Sequence, residues 1–175
     1  MRRIFCIVAF VSITLGLCSG SEGTKPRFAL YLVKAHHAEM KQSELESEPL
    51  LTEQDIVSYD WPTHTIALTK SGEKKIPDIK AVGTGGVEFV IVADGQRCYR
   101  GAFWASLSSQ SHGEPVIDVL RRGRTLQIQR AYPDASFAVG DDPRSDPRIL
   151  QALEAAGKIK KAQPTAPADA DKSRH

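Results

Sequence analysis

Val87 to Trp104, VEFVIVADGQRCYRGAFW, limits the fold more than any other stretch of this chain. It reads as two strands joined at Asp94-Gly95. A two-residue type I′ turn needs positive φ at both central positions, and Asp-Gly supplies them at low steric cost. An uninterrupted register pairs Ala93 with Gln96, Val92 with Arg97, Ile91 with Cys98, Val90 with Tyr99 and Phe89 with Arg100. Cross-strand partners share a face. Phe89, Ile91 and Cys98 are therefore expected on one side and Val90, Val92 and Tyr99 on the other. The first arm is apolar on both faces, which suits a central strand covered on both sides.

The N-terminus carries a targeting pattern. Arg2 and Arg3 precede an uncharged, mostly apolar run from Ile4 to Leu17, and Ser-Gly-Ser follows. That run is short for a membrane span, which needs about 20 apolar residues. Residues 1–20 read as an export signal peptide. Leu15-Gly16-Leu17-Cys18 also resembles the lipobox of bacterial lipoproteins, in which Cys18 would be acylated, although Leu17 stands where a small residue is usual. Arg2-Arg3 touches the twin-arginine pattern weakly. The expected destination is the periplasm or the exterior, with a membrane-anchored lipoprotein as the alternative.

The chain has 23 basic and 21 acidic residues, and the signal segment removes two arginines and no acid. The mature chain is then formally neutral, which argues against nucleic acid as a partner. Residues 21–159 suffice for one domain with its own core. Cys6 and Cys18 belong to the signal, leaving Cys98 alone. Placed opposite Ile91, it reads as a small buried apolar residue, not a reactive thiol.

Other segments follow from local patterns. Ser21 to Pro26 is a polar leader, and FALYLV from Phe28 to Val33 is a strand. His36-His37 lacks HExxH spacing, and adjacent side chains diverge, so the pair is a polar connection, not a metal site. Lys41 to Pro49 reads as a charged loop. Thr52 caps a short helix over 53–58, with Ile56 and Tyr59 on one face. HTIALT, His64 to Thr69, alternates as a strand with Ile66 and Leu68 inward and His64 on its surface. Ser71 to Ile76 forms a helical turn that Pro77 stops. Gly83-Thr84-Gly85-Gly86 lacks the phosphate-loop pattern and precedes a strand, so it is a connecting loop.

Beyond the hairpin, Ser106 to Gly113 places serines near His112, with Asp118 downstream. That composition invites a serine hydrolase reading, using Ser108 or a neighbour with His112. No GxSxG elbow accompanies it, and polar loops carry such residues anyway. Pro115 to Leu120 and Thr125 to Ala131 are strands around a solvated Arg121–Arg124 turn. Asp141 to Arg148 is polar and broken by proline. It ends in the clearest helix, over 147–156: Asp146 caps, Pro147 takes the first position, Gly157 stops it, and Ile149, Leu150 and Leu153 form its core stripe. Residues 160–175, rich in Ala, Pro and charge, cannot repay the entropy of ordering and read as a disordered tail.

Three stretches together resemble the head subdomain of the large periplasmic domain of SecD/SecDF protein-export subunits. They are Pro49-Leu50-Leu51-Thr52-Glu53-Gln54-Asp55-Ile56, the strand Thr65 to Thr69 with Ser71-Gly72-Glu73-Lys74-Lys75-Ile76, and Phe89-Val90-Ile91-Val92-Ala93-Asp94-Gly95. The family has a similar order: an "LLT..DI" turn, a strand with a "GxKKF"-type short helix, and an "AIVLDG" hairpin. The likeness covers roughly residues 28 to 119. Pro77, the AFWASLSSQSHGEP segment and the lack of following transmembrane helices depart from it. The resemblance implies a shared small domain without the export motor, and no functional residue carries over.

The sequence therefore predicts an exported α+β domain: a mostly antiparallel sheet around the 87–104 hairpin, with short helices and one C-terminal helix. The expected role is a non-enzymatic binding or accessory module for a protein or envelope component, without cofactor, metal or catalytic residues. Phe103 and Trp104 point to opposite faces. Phe103 is expected with Phe89 and Ile91, unless a bulge at Gly101 flips the register. Trp104 is expected to be partly exposed, forming a recognition edge with Ser108 and His112 of the following loop.

Overall fold

Asp94 and Gly95 turn the chain with φ of 45° and 77°. Both central residues of the turn are thus left-handed, as the Asp-Gly signal requires. The computed structural model describes residues 25–35, 40–121 and 123–160. The signal segment with Cys18, the His36-His37 pair and residues 161–175 lie outside the described residues.

The described strands are β1 (Phe28–Ala35), β2 (Glu44–Leu45), β3 (Leu51–Thr52), β4 (Ile56–Asp60), β5 (Thr65–Leu68), β6 (Val87–Ala93), β7 (Gln96–Trp104), β8 (Val116–Asp118) and β9 (Thr125–Gln129). The helices are α1 (Lys70–Lys75), α2 (Ile79–Val82) and α3 (Pro147–Ala155). One mixed sheet runs β2-β1-β6-β7-β8-β9-β5-β4, with β3 also paired to β1. Among the described strands, only β7 and β8 pair in parallel. The α+β class and the mostly antiparallel sheet follow from this arrangement.

The hairpin register holds for Ala93–Gln96 and Val92–Arg97 and then shifts: Ile91 faces Tyr99, Val90 faces Arg100 and Phe89 faces Gly101. Cys98 is the extra residue, so the bulge lies there and not at Gly101. The shift moves Tyr99 onto the face of Ile91 and Phe89, where it is 4% exposed. Cys98 only flanks that core. Gly101 instead allows close approach. A Cβ there would lie 2.5 Å from the Pro115 carbonyl oxygen and 2.7 Å from Phe89 Cζ.

One face of the sheet builds the main core. Phe28, Leu30, Phe89, Ile91, Tyr99 and Phe103 join Tyr59, Ile66 and Leu126 from the far strands, and Ile149, Ala152 and Leu153 from α3 close it. Phe103 lies with Phe89 as expected, ring centroids 5.3 Å apart. Helix α3 starts on the Asp146 cap with Pro147 in its first turn. Gly157, at φ 67°, ends it. Its buried stripe is Ile149, Ala152 and Leu153, with Leu150 half-buried.

Local readings needed further correction. Thr52 does cap, but only a 3-10 turn over Glu53–Asp55, and Ile56 then enters β4. The second half of the expected 53–58 helix is strand because β4 pairs with β5. Within Lys41–Pro49, a 3-10 turn ending at Gln42 and strand β2 replace a plain loop. His64 is not on a strand surface: it turns the chain at φ 50° and is 7% exposed. Its Nδ1 lies 3.2 Å from the Tyr59 hydroxyl. Lys160 belongs to the domain and not to the tail, since its N–H donates to the Tyr59 carbonyl and its ammonium reaches Asp60.

Candidate functional site

Strand alternation puts Ala102 and Trp104 on the face opposite Phe103. There they form a second, smaller cluster with Val116, flanked by Tyr132. Trp104 is 3% exposed, so the expected partial exposure is wrong. Three separated segments cover the indole. Gly86 lies against one edge, where a Cβ would come within 2.7 Å of the ring. The His112 imidazole stacks on it at 4.9 Å and 29°, and Tyr132 tilts against it at 6.2 Å.

The loop from Ala105 to Gly113 is tied down by specific hydrogen bonds. The Tyr132 hydroxyl donates to the carbonyls of Ser106 and Ser108, at 2.9 and 3.3 Å. His112 and Tyr132 exchange backbone hydrogen bonds of 3.0 and 2.9 Å. The Ser108 hydroxyl donates to the Thr84 carbonyl at 3.2 Å and accepts from Gln110 N–H at 3.2 Å. Asp118 Oδ1 accepts from the N–H groups of Ser106 and Leu120, while Arg121 sits 3.5 Å from Oδ2. Ser108, His112 and Asp118 thus lie in one neighbourhood, each with partners other than its fellows. A serine relay needs hydroxyl and imidazole within hydrogen-bond reach, whereas the Ser108 hydroxyl is engaged by Thr84 and Gln110 and His112 Nε2 has no partner.

Two polar atoms in this layer are buried without partners, Trp104 Nε1 and His112 Nε2. Burial pushes the His112 imidazole below its usual value, and Arg100 adds to this, while Glu114 and Glu88 oppose it. The Cys98 thiol is pushed up by burial and by Asp146, so it is a poor nucleophile.

Beyond His112 the loop becomes the wall of a cleft. The Val139 N–H donates to the Gly113 carbonyl at 3.0 Å, joining the loop to the segment after Tyr132. The cleft encloses about 250 Å³, and its lining includes Met40, Tyr99, Arg100, Glu114, Arg130 and Val139. Arg100 and Glu114 form a two-pronged pair, with both contacts at 2.9 Å. That bond raises Arg100 further. Arg130 donates to the Gly140 carbonyl at 2.5 Å and lies 3.6 Å from Asp142.

Asp142 and Arg144 fasten the cleft wall to the core. Arg144 grips both Asp142 oxygens, at 2.9 and 2.6 Å, and donates to the Ile128 carbonyl at 2.8 Å. The Arg144 bond holds the Asp142 carboxyl down at about 2. Val139 on this wall remains 79% exposed, and Phe137, two residues earlier in the chain, is 47% exposed.

The sequence reading found Trp104, Ser108 and His112 but missed the cleft residues. Alternation along β7 gives a hint, because Arg100 follows buried Tyr99. Among the described residues, no three His, Cys, Asp or Glu side chains converge to hold a metal ion. No helix among them is long and apolar enough to cross a membrane.

Fold and site together define an α+β domain with a braced, partly apolar surface cleft. No protein-family model matches the chain, and neither the curated proteins nor the solved structures yield a match.

Proposed function

We propose that this chain is an exported, non-enzymatic binding domain that engages a protein or envelope component through the cleft between Arg100–Glu114 and Val139. The observation that carries the reading is Val139, an apolar residue 79% exposed on the cleft wall, with Phe137 exposed two residues before it in the chain. Exposed apolar area beside a pre-formed, charge-braced cleft is what a recognition surface needs. At about 250 Å³ the cleft falls below the usual range for small-molecule sites, roughly 300–1,000 Å³. It suits an anchor side chain of a protein partner better than a cofactor. The engagement of Ser108 with Thr84 and the stacking of His112 on Trp104 favour binding over hydrolysis. The SecD head resemblance fits an accessory role at the envelope, and export rests on the signal pattern of residues 1–20.

The test is capture from envelope extract with the mature domain and its Val139→Asp variant, both checked for equal thermal stability. The proposal expects a discrete set of partners that the variant loses. Equal capture by both proteins would move the binding surface elsewhere.

A further inference from the structure

We propose that His112 is an acid-sensitive latch: while its imidazole is neutral the loop 105–113 stays closed over Trp104, and protonation releases it. The geometry of the closed state carries this. The imidazole stacks on the indole with centroids 4.9 Å apart and planes inclined by 29°. Its Nε2 is buried without an acceptor. A neutral imidazole can leave one nitrogen bare as an acceptor, but the charged form carries N–H on both. A buried, unsatisfied charged donor is expensive, and the cheapest relief is to carry the ring out to water.

The groups around the ring do not offer a better escape. Glu88 on β6 and Glu114 at the loop end favour the charge, but Glu114 is already gripped by Arg100 on β7, which opposes it. Asp118 on β8 is turned to Ser106, Leu120 and Arg121. The Tyr132 hydroxyl, from the segment after β9, donates to Ser106 and Ser108 and not to the imidazole. The indole face itself attracts a cation. Burial outweighs the two carboxylates and holds the imidazole below its ordinary value.

Opening can stay local to the loop. Its strand-like hold at His112 is a single isolated bridge to Tyr132, its other ties are the hydrogen bonds made by Ser106, Ser108 and Gly113, and Leu107 at its bend is 78% exposed. Such segments open locally well below the cost of global unfolding. Because the Gly113 carbonyl accepts from Val139 N–H, release would also loosen the cleft wall. That consequence rests on the binding reading above, whereas the latch does not.

The test uses the full chain with Trp61→Phe, which leaves Trp104 as the sole tryptophan of the two in the sequence. Its emission and acrylamide quenching are followed from about pH 8 to about pH 5, with far-UV circular dichroism in parallel. The expected result is a red shift and at least a twofold rise in quenching, centred below 6.5, with the dichroism unchanged. Adding His112→Gln, or His112→Phe to keep a stacked ring, should abolish the transition; both variants retain His64, so its titration is common to all. A flat profile with His112 present, the same transition without it, or a shift seen only as the dichroism collapses would each overturn the latch. None of these readouts involves a partner, so failure of the latch is distinct from failure of the binding proposal.

Discussion

Gly101 lies directly across from Phe89 in the central hairpin, and the phenyl ring occupies the space a side chain at 101 would need. A Cβ there would come 2.7 Å from Phe89 Cζ, and 2.5 Å from the Pro115 carbonyl oxygen that accepts the Ala102 N–H. The absence of a side chain at 101 lets Phe89 and the Pro115 carbonyl that leads into β8 both pack against β7. Gly101→Ala should therefore destabilise the domain by about 1–3 kcal/mol through overpacking, measured by urea unfolding. A change below about 0.5 kcal/mol would show that the two strands can part without strain.

Trp104 anchors the second face under Gly86, His112 and Tyr132. Trp104→Ala should cost about 3–5 kcal/mol, as for other buried aromatics. A loss near 1 kcal/mol or less would mean that the loop 105–113 does not cover the indole in solution.

These two positions also show how far local chemistry could be read from the sequence. The Asp94-Gly95 turn and the Asp146-Pro147 to Gly157 helix were legible because each is set by a few adjacent residues. The bulge at Cys98 was not, because it answers a tertiary demand, the burial of Tyr99 in the main core. Thr52 capped as expected, yet the same signal serves a single 3-10 turn. Pairing with β5 then decided that Ile56 to Asp60 is strand. Trp104 looked like a partly exposed edge because its covers lie far along the chain, at Gly86 and Tyr132, beyond any local pattern. The cleft was invisible for the same reason: Met40, Arg100, Glu114, Arg130 and Val139 come from segments far apart in the chain.

The Asp142–Arg144 clasp gives a pH dependence with a defined sign. The folded carboxyl is held at about 2 by Arg144, below its unfolded value of about 3.9. The clasp therefore contributes fully above about pH 4 and is lost as pH falls towards 2. Asp142→Asn should lower stability at neutral pH by about 1–2 kcal/mol, discounted for partial exposure, and should flatten the acid limb of the stability curve. An unchanged acid limb in urea titrations at several pH values would remove Asp142 from the account.

The export reading predicts a defined mature terminus. Mass spectrometry of the protein from its native envelope should show a chain starting at Ser21. A diacylglyceryl-modified Cys18 start would instead make it an anchored lipoprotein, and an intact Met1 start would contradict export.

The central claim is that the cleft wall at Val139 is the recognition surface, and site-specific photo-crosslinking tests it most directly. A benzoylphenylalanine is placed at Val139 in one protein and, as control, at Val57, which is 53% exposed on β4. After irradiation in living cells, the account predicts a discrete crosslinked species from position 139 and none from position 57. The Arg100→Ala change, which breaks the brace to Glu114, should weaken that species. No adduct at 139, or the same adducts at both positions, would contradict the claim.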